Sequence, residues 1–256
     1  MSASTQLRTQ ARYSLLSFRR NPAATFFTVI LPLIFLMLFT SIFGNDEIDG
    51  TGVRLATVYV PGILALSVIS ATMVSLAINI TTKRENGILK RVRGTPLRPW
   101  VFVAGEVAAG LVITALMTVL VVAIGRVLFD VTLYSAGIPN LLISLILGAA
   151  AFSALGLALT VIIPNEKAAP AVTNMVALPL YFVSDVFIPT SDDTPRLITL
   201  IGDLFPIKHL SLALGQTFDP VIDGTPMAWK HWAVIAAWGA FGTLVAVRRF
   251  SWTPRG

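Results

Sequence analysis

The chain has 256 residues, of which 55 % are hydrophobic and only 12 % are charged. A soluble domain carries about 25 % charged residues, so this composition excludes an ordinary soluble fold and predicts a polytopic membrane protein. The absence of cysteine excludes disulfide frameworks, thiolate metal sites and cysteine nucleophiles. The net charge of +6 comes from basic residues that flank the apolar runs, which favours membrane orientation and acidic lipid headgroups over nucleic acid as partners.

The first 21 residues predict an amphipathic helix on the cytoplasmic side, lying in the plane of the membrane from Ser4 to Arg20. At 100° per residue, one face is apolar and arginines cluster beside it. Leu16 breaks this pattern on the polar side. The apolar face comprises Leu7, Ala11, Leu15 and Phe18, and the arginines are Arg8, Arg12 and Arg19.

Six apolar runs follow, each long enough to cross a hydrocarbon core of about 30 Å as a helix. They are too long for barrel strands and do not alternate in polarity, so an all-α integral membrane fold is expected, with residues 1–256 forming one transmembrane domain. The predicted spans are Pro22–Phe43, Leu55–Thr81, Trp100–Gly125, Ile138–Ile163, Ala168–Phe187 and His231–Val247.

The segment 188–230, before the last span, does not resemble a simple loop. Two short apolar stretches, 197–205 and 207–218, are separated by Pro206, and neither can cross a bilayer. We expect short re-entrant or interfacial helices on the outer face.

The distribution of basic residues predicts the orientation. With both termini inside, 14 of the 19 Lys and Arg residues are cytoplasmic, whereas nine of the 13 acidic residues lie outside. Because positive charge resists translocation, both termini are predicted to lie in the cytoplasm. The cytoplasmic segments in this assignment are Met1–Asn21, Thr82–Pro99, Pro164–Lys167 and Arg248–Gly256.

Motifs for catalysis are absent from the sequence. None of the lysines follows a glycine, so there is no P-loop, and no HExxH motif is present. We expect no catalytic residue, no metal site and no cofactor held by this chain. An integral membrane enzyme, such as a lipid-modifying transferase, would need clustered carboxylates or histidines, but the inner face offers only Glu85, Glu106 and Glu166.

Two acidic residues inside predicted spans are candidates for function, because charges in a membrane are costly. Glu106 lies about two turns into the third span and is interpreted either as a contact in an inner gate or as a partner of a basic neighbour. Asp185, near the outer end of the fifth span, either faces a vestibule that favours cations or is a solvated interfacial residue.

Two segments carry a family resemblance. Residues 84–96, RENGILKRVRGTP, resemble the cytoplasmic loop of type-2 ABC exporter permeases, which include bacterial daunorubicin-resistance permeases, although Ile88 stands where threonine is common. Residues 178–189, LPLYFVSDVFIP, resemble the fifth-span signature, with Asp185 replacing a usual glycine. The order of elements resembles this family along nearly the whole chain.

The resemblance implies a dimer of permease chains, homomeric or heteromeric, that binds two separate ABC ATPase subunits carrying ATP and Mg. It also implies that the loop 82–99 contains a coupling helix that docks on the ATPase. Glu85 is expected to cap the start of that helix, and the basic residues to face an acidic partner surface. The expected coupling residues are Arg84, Glu85, Asn86, Gly87, Leu89, Lys90, Arg91, Arg93, Thr95 and Pro96.

The expected function is export of hydrophobic or amphipathic, drug-like compounds, driven by the separate ATPase. The alternatives are an exporter of a lipid, a polysaccharide or another secreted metabolite, or a membrane lipid-modifying enzyme. A pathway for an apolar substrate would have bulky and amide side chains with little charge. The candidate lining residues are Phe35, Met37, Phe39, Ser67, Met73, Asn79, Asn174 and Asp185.

Overall fold

The protein forms a bundle of helices in a computed structural model that describes residues 2–48, 53–184, 186, 195–218 and 227–254. Among these residues, five helical segments are long and apolar enough to cross a membrane. The all-α membrane fold is therefore confirmed. The five segments are Phe26–Phe43, Leu55–Glu85, Pro99–Phe129, Ser135–Leu159 and Trp229–Arg249.

The N-terminal helix α1, Ala3–Arg19, begins at Ser2, whose hydroxyl accepts a hydrogen bond from the amide of Thr5 at 3.3 Å. It packs on the helix that forms the third span. The two approach so closely that a methyl group on Gly105 would overlap the side chain of Gln10. The face predicted to be apolar is partly buried, with Leu15 and Phe18 packed on the main core.

The first two spans are each interrupted by a wide π turn. The first comprises α2, a π turn and α3, and the second comprises α4, a π turn and α5. The first π turn ends two residues before Pro32, which has no N–H to donate to the carbonyl of Thr28. In chain order these elements are α2 Pro22–Thr25, the π turn Phe26–Ile30, α3 Leu31–Phe43, α4 Leu55–Ile69, the π turn Ser70–Val74 and α5 Ser75–Glu85.

A short antiparallel β ladder joins the first two spans, which the all-helical prediction did not anticipate. Strands β1, Glu47–Ile48, and β2, Val53–Arg54, are two residues long. Asn45 beside the ladder donates from Nδ2 to the carbonyl of Phe129 at 2.8 Å and accepts from the amide of Ala56 at 3.1 Å. This amide ties the ladder to the end of the third span.

Helix α6, Ile88–Arg93, is a short helix between the second and third spans. Helix α7, Pro99–Phe129, is the third span, and a 3₁₀ turn, Ser135–Gly137, leads into α8, Ile138–Leu159, the fourth. The segments Leu55–Glu85 and Pro99–Phe129 each have 31 residues, or about 46 Å. Both therefore exceed a hydrocarbon core of about 30 Å.

The predicted fifth span is shorter than expected. Helix α9, Ala169–Phe182, has 14 residues, or about 21 Å at 1.5 Å per residue. It begins at the predicted boundary, with Pro170 in its first turn. Of the predicted span Ala168–Phe187, Asp185 and Phe187 lie outside the described residues.

Two short helices precede the last span, as expected for the segment 188–230, of which 195–218 and 227–230 are described. Helices α10, Arg196–Leu204, and α11, Pro206–Gly215, meet at an angle of 89°. Helix α11 is buried against α4, α8 and α12, where α12 is the last span, Trp229–Arg249.

Candidate functional site

The side chains with the densest polar contacts meet where α1, the end of α5 and the start of α7 come together. We call this region the junction, and the end of the bundle that contains it the basic end. Its centre is the carboxylate of Glu106, a residue that is 4 % exposed. Oxygen Oε1 accepts hydrogen bonds from Ser14 Oγ at 2.6 Å, Lys83 Nζ at 2.7 Å and Gln10 Nε2 at 3.0 Å, and Oε2 accepts one from Asn79 Nδ2 at 3.3 Å.

This geometry matches one of the two interpretations of Glu106, the carboxylate paired with a basic neighbour. The Lys83 side chain is 15 % exposed and the Glu106 side chain 3 %, so the pair is largely withdrawn from solvent. A buried charge is tolerated when it is paired and its remaining lone pairs are satisfied. Glu106 therefore connects three elements, α1, α5 and α7, to one another.

Arg84, the residue after Lys83, points to a different side of α5, toward the end of α8. Its guanidinium donates to the carbonyls of Thr160 at 2.9 Å and Ile163 at 2.8 Å, just past the end of α8, and is 1 % exposed. Thr160 directly follows α8, where a helix end leaves carbonyls without an intrahelical donor, and Ile163 lies three residues further on. Arg84 also pairs through Nε with Glu85 at 2.7 Å. Arg84 thus caps the C-terminal end of the fourth span, and its burial leaves the side chain inaccessible to a partner protein.

The turn after α5 sets the direction of α6. Gly87 has a φ of 68°, in the left-handed region that favours glycine. Glu85 is the last residue of α5, and its carboxylate lies on Arg84. The expectation that Glu85 caps the coupling helix is therefore wrong, because a left-handed glycine starts that helix instead. Asn86 donates to Glu166 Oε2 at 3.2 Å and ties the turn to the loop after α8.

Helix α6 has two faces of different character. Leu89 is fully buried in an apolar cluster that four spans share. The other face presents basic side chains to solvent, and in the described part of the chain none of them forms an ion pair. Thr95 and Pro96 follow on the surface. The cluster comprises Leu89, Leu76, Ile80, Phe102, Leu157 and Ala246, and the exposed residues are Ile88, Lys90, Arg91 and Arg93.

The candidate pathway residues lie in different environments. Ser67 and Met73 lie in the interior, 1 % and 4 % exposed, so neither reaches a surface that a second chain could share. Asn79 belongs to the junction through its hydrogen bond to Glu106. Phe35 and Phe39 are partly exposed, and Met37 and Asn174 are exposed. Asp185 is outside the described residues.

Sequence reasoning missed an aromatic cluster beside the candidate pathway. Phe35 stacks on Phe39 with ring centroids 5.6 Å apart, and Tyr59 lies 5.6 Å from Phe39 and 5.9 Å from Phe43. The four-residue spacing of the phenylalanines was a visible signal for a shared helix face, whereas Tyr59 comes from the next span.

The two histidines, His209 and His231, contact each other at the end of the bundle opposite the junction. Their Nδ1 atoms are 2.8 Å apart, and His209 Nε2 lies 2.9 Å from the carbonyl of Asp203. A carbonyl only accepts, so Nε2 of His209 carries a proton, and in the neutral pair Nδ1 of His231 donates to His209. The contact joins α11 to α12. In the described ranges no three His, Cys, Asp or Glu residues form a metal-binding group.

Comparison with known proteins agrees with this architecture. A model of the ABC-2 type transporter family matches residues 5–217. The daunorubicin resistance ABC transporter permease protein DrrB1 of Streptomyces coeruleorubidus is 25 % identical over 217 residues, covering 84 % of this chain and 74 % of that protein. The putative transport permease YvfS of Bacillus subtilis (strain 168) is 22 % identical over 219 residues, covering 86 % of each.

Proposed function

The chain belongs to the ABC-2 type transporter family as a membrane subunit, and from that membership we propose that it exports its substrate with energy from a separate ATPase. In this proposal two permease chains form the passage, and two ATPase subunits bind ATP and Mg on the cytoplasmic side. In this proposal the nucleotide sites and the catalytic residues for ATP hydrolysis belong to the ATPase subunits.

The two faces of α6 support this function above the alternatives. The inner face is fixed by Leu89, and the outer face offers Lys90, Arg91 and Arg93 to an acidic surface. The position of α6 is also tied to several spans. A force on α6 would therefore move several spans together.

In this proposal two consecutive residues, Lys83 and Arg84, transmit that force from the end of α5 to neighbouring helices. Lys83 connects α5 to α1 and α7 through Glu106, and Arg84 connects it to the end of α8. When the ATPases close on ATP, α6 and the end of α5 shift, and these ion pairs and hydrogen bonds carry the shift to three neighbours. The bundles of the two chains then change from inward-open to outward-open by rigid-body movement.

We place the basic end in the cytoplasm of a bacterial cell, because positive residues are retained there. The natural chain contains no cysteine, so single cysteines report the orientation directly. A membrane-impermeant maleimide should label Ser135→Cys in intact cells and Thr95→Cys only after permeabilisation. Both positions are exposed. The reverse pattern would overturn this orientation.

The substrate we propose is an apolar or amphipathic compound. One relative is named for daunorubicin resistance, and the partly or fully exposed candidate positions Phe35, Met37, Phe39 and Asn174 offer bulk and an amide without charge. A lipid, a polysaccharide or another secreted metabolite remains the alternative cargo. Stimulation of ATP hydrolysis by a compound panel, measured on the permease–ATPase complex in nanodiscs, separates these classes.

Charge reversal on α6 tests the docking proposal. The triple variant Lys90→Glu, Arg91→Glu, Arg93→Glu should lose co-purification with the ATPase, while the chain still inserts and elutes as the wild type does. The control Arg248→Glu, Arg249→Glu reverses two exposed charges at the same end of the bundle, outside α6, and should retain the ATPase. Equal retention by both variants would refute docking at α6.

A further inference from the structure

The outward face of α1 carries two adjoining open grooves that the coupling mechanism does not use. The first, of about 480 Å³, is lined by Arg8, Thr9, Arg12, Tyr13 and Leu16. The second, of about 670 Å³, shares Tyr13 and Leu16 and continues along the helix to the start of the first span. Its further lining residues are Ser17, Arg20, Asn21 and Pro22.

The charge of these grooves is positive and unbalanced. Helix α1 contains no acidic residue. Arg8 and Arg12 stand four positions apart, where like charges are neighbours on a helix and destabilise it. Along the described chain, neither they nor Arg20 forms an ion pair. A bound anion would remove this repulsion.

Exposed apolar side chains line the grooves and also stand at the start of the first span, which begins at Pro22. Tyr13 and Leu16 are 65 % and 37 % exposed, and Phe26 and Phe27, at the start of that span, are 40 % and 56 % exposed. A ligand with a negative head group and a hydrocarbon tail fits a surface on which arginines lie beside exposed apolar side chains. A soluble anion such as inorganic phosphate would leave the apolar part uncovered.

We propose that these grooves bind one acidic phospholipid of the inner leaflet, of the phosphatidylglycerol type. The guanidinium groups of Arg8 and Arg12 hold its phosphodiester, and its acyl chains lie against Leu16 and Phe27. The opposite face of α1 supplies Gln10 and Ser14 to Glu106, so the lipid fixes α1 on α7 from outside while the junction fixes it from inside.

The test titrates the delipidated full-length chain in detergent with short-chain phosphatidylglycerol and, separately, phosphatidylcholine, with bound lipid counted by native mass spectrometry. The wild type should prefer phosphatidylglycerol. The variant Arg8→Gln, Arg12→Gln should bind it about 30-fold more weakly, since each basic residue near an anionic lipid contributes a factor of roughly five. Arg8→Lys, Arg12→Lys keeps the charge and should stay within a few-fold of the wild type.

Arg248→Gln, Arg249→Gln is the matched control, because it removes two exposed arginines from the same end of the bundle without touching the grooves. It should bind phosphatidylglycerol as the wild type does. Equal loss in both double variants, equal affinity for the two lipids, or displacement of the lipid by millimolar inorganic phosphate would overturn the proposal. Displacement by the ATPase subunit would assign the grooves to that protein and overturn it as well. Lipid binding is measured without nucleotide, so its failure leaves the export function standing.

Discussion

Replacing Glu106 with glutamine keeps the size of the side chain and one oxygen acceptor but removes the negative charge of the junction. Glu106 is 4 % exposed and accepts four hydrogen bonds, one of them from the ammonium of Lys83 at 2.7 Å. Breaking a buried ion pair on one side costs about 3–5 kcal/mol. Because the Lys83 side chain retains 15 % exposure, we expect the lower end, about 3 kcal/mol.

The thermal unfolding midpoint of the purified chain in detergent measures this loss. For a chain of this size about 3 kcal/mol corresponds to a decrease of roughly 6–12 °C. The same substitution at Glu166, a more exposed carboxylate at the same end, should change stability by less than about 0.5 kcal/mol. A decrease no larger for Glu106→Gln than for Glu166→Gln would refute the charge pairing.

A double-mutant cycle separates charge pairing from packing. Adding Lys83→Met to Glu106→Gln removes both charges, so part of the lost stability should return. In the complex, Glu106→Gln should lower the amount of substrate moved per ATP hydrolysed, because α5 is then released from α1 and α7. An unchanged ratio would show that the junction is structural only.

Two further outcomes follow from the geometry. Gly105→Ala should separate α1 from α7 and lower the thermal unfolding midpoint, because the new methyl group overlaps the side chain of Gln10. The control Gly215→Ala should leave the midpoint unchanged, because no heavy atom lies within 4 Å of its new methyl group. Equal midpoints for the two variants would contradict the close packing. The hydrogen bond between the Nδ1 atoms of His209 and His231 joins α11 to α12. His231→Phe removes this bond and should lower the free energy of unfolding by about 1 kcal/mol, and a value equal to that of the wild type would contradict the pairing.

Local patterns predicted the spans well. The first span has the predicted boundaries, Pro22–Phe43, because a proline begins it and a glycine ends its apolar run. The amphipathic helix was displaced by one residue only, ending at Arg19, since a 3.6-residue period is readable from the chain itself. The fifth span was overestimated because apolar residues after Phe182 continue the pattern while the helix stops.

Long-range contacts account for what the sequence did not reveal. Lys83 and Arg84 both read as surface charges, yet one pairs with Glu106 and the other caps carbonyls 76 and 79 positions away. No pattern in the adjacent sequence distinguishes Lys83 from Arg84, because their different roles depend on which helix packs against each side of α5. Gln10 and Ser14 carry no sequence signal of their role, because the carboxylate that they contact, that of Glu106, lies on α7.

The burial of Leu89 has a consequence for how the protein is made. The pocket that holds Leu89 includes Ala246 of the last span and is bordered by Trp252 near the end of the chain. The ribosome must therefore synthesise almost the whole chain before α6 can pack in its final position. At about 5–20 residues per second, that delay lasts on the order of ten seconds or more. Half-inserted chains therefore lack a fully packed α6, and under the proposed docking at α6 they would not bind the ATPase.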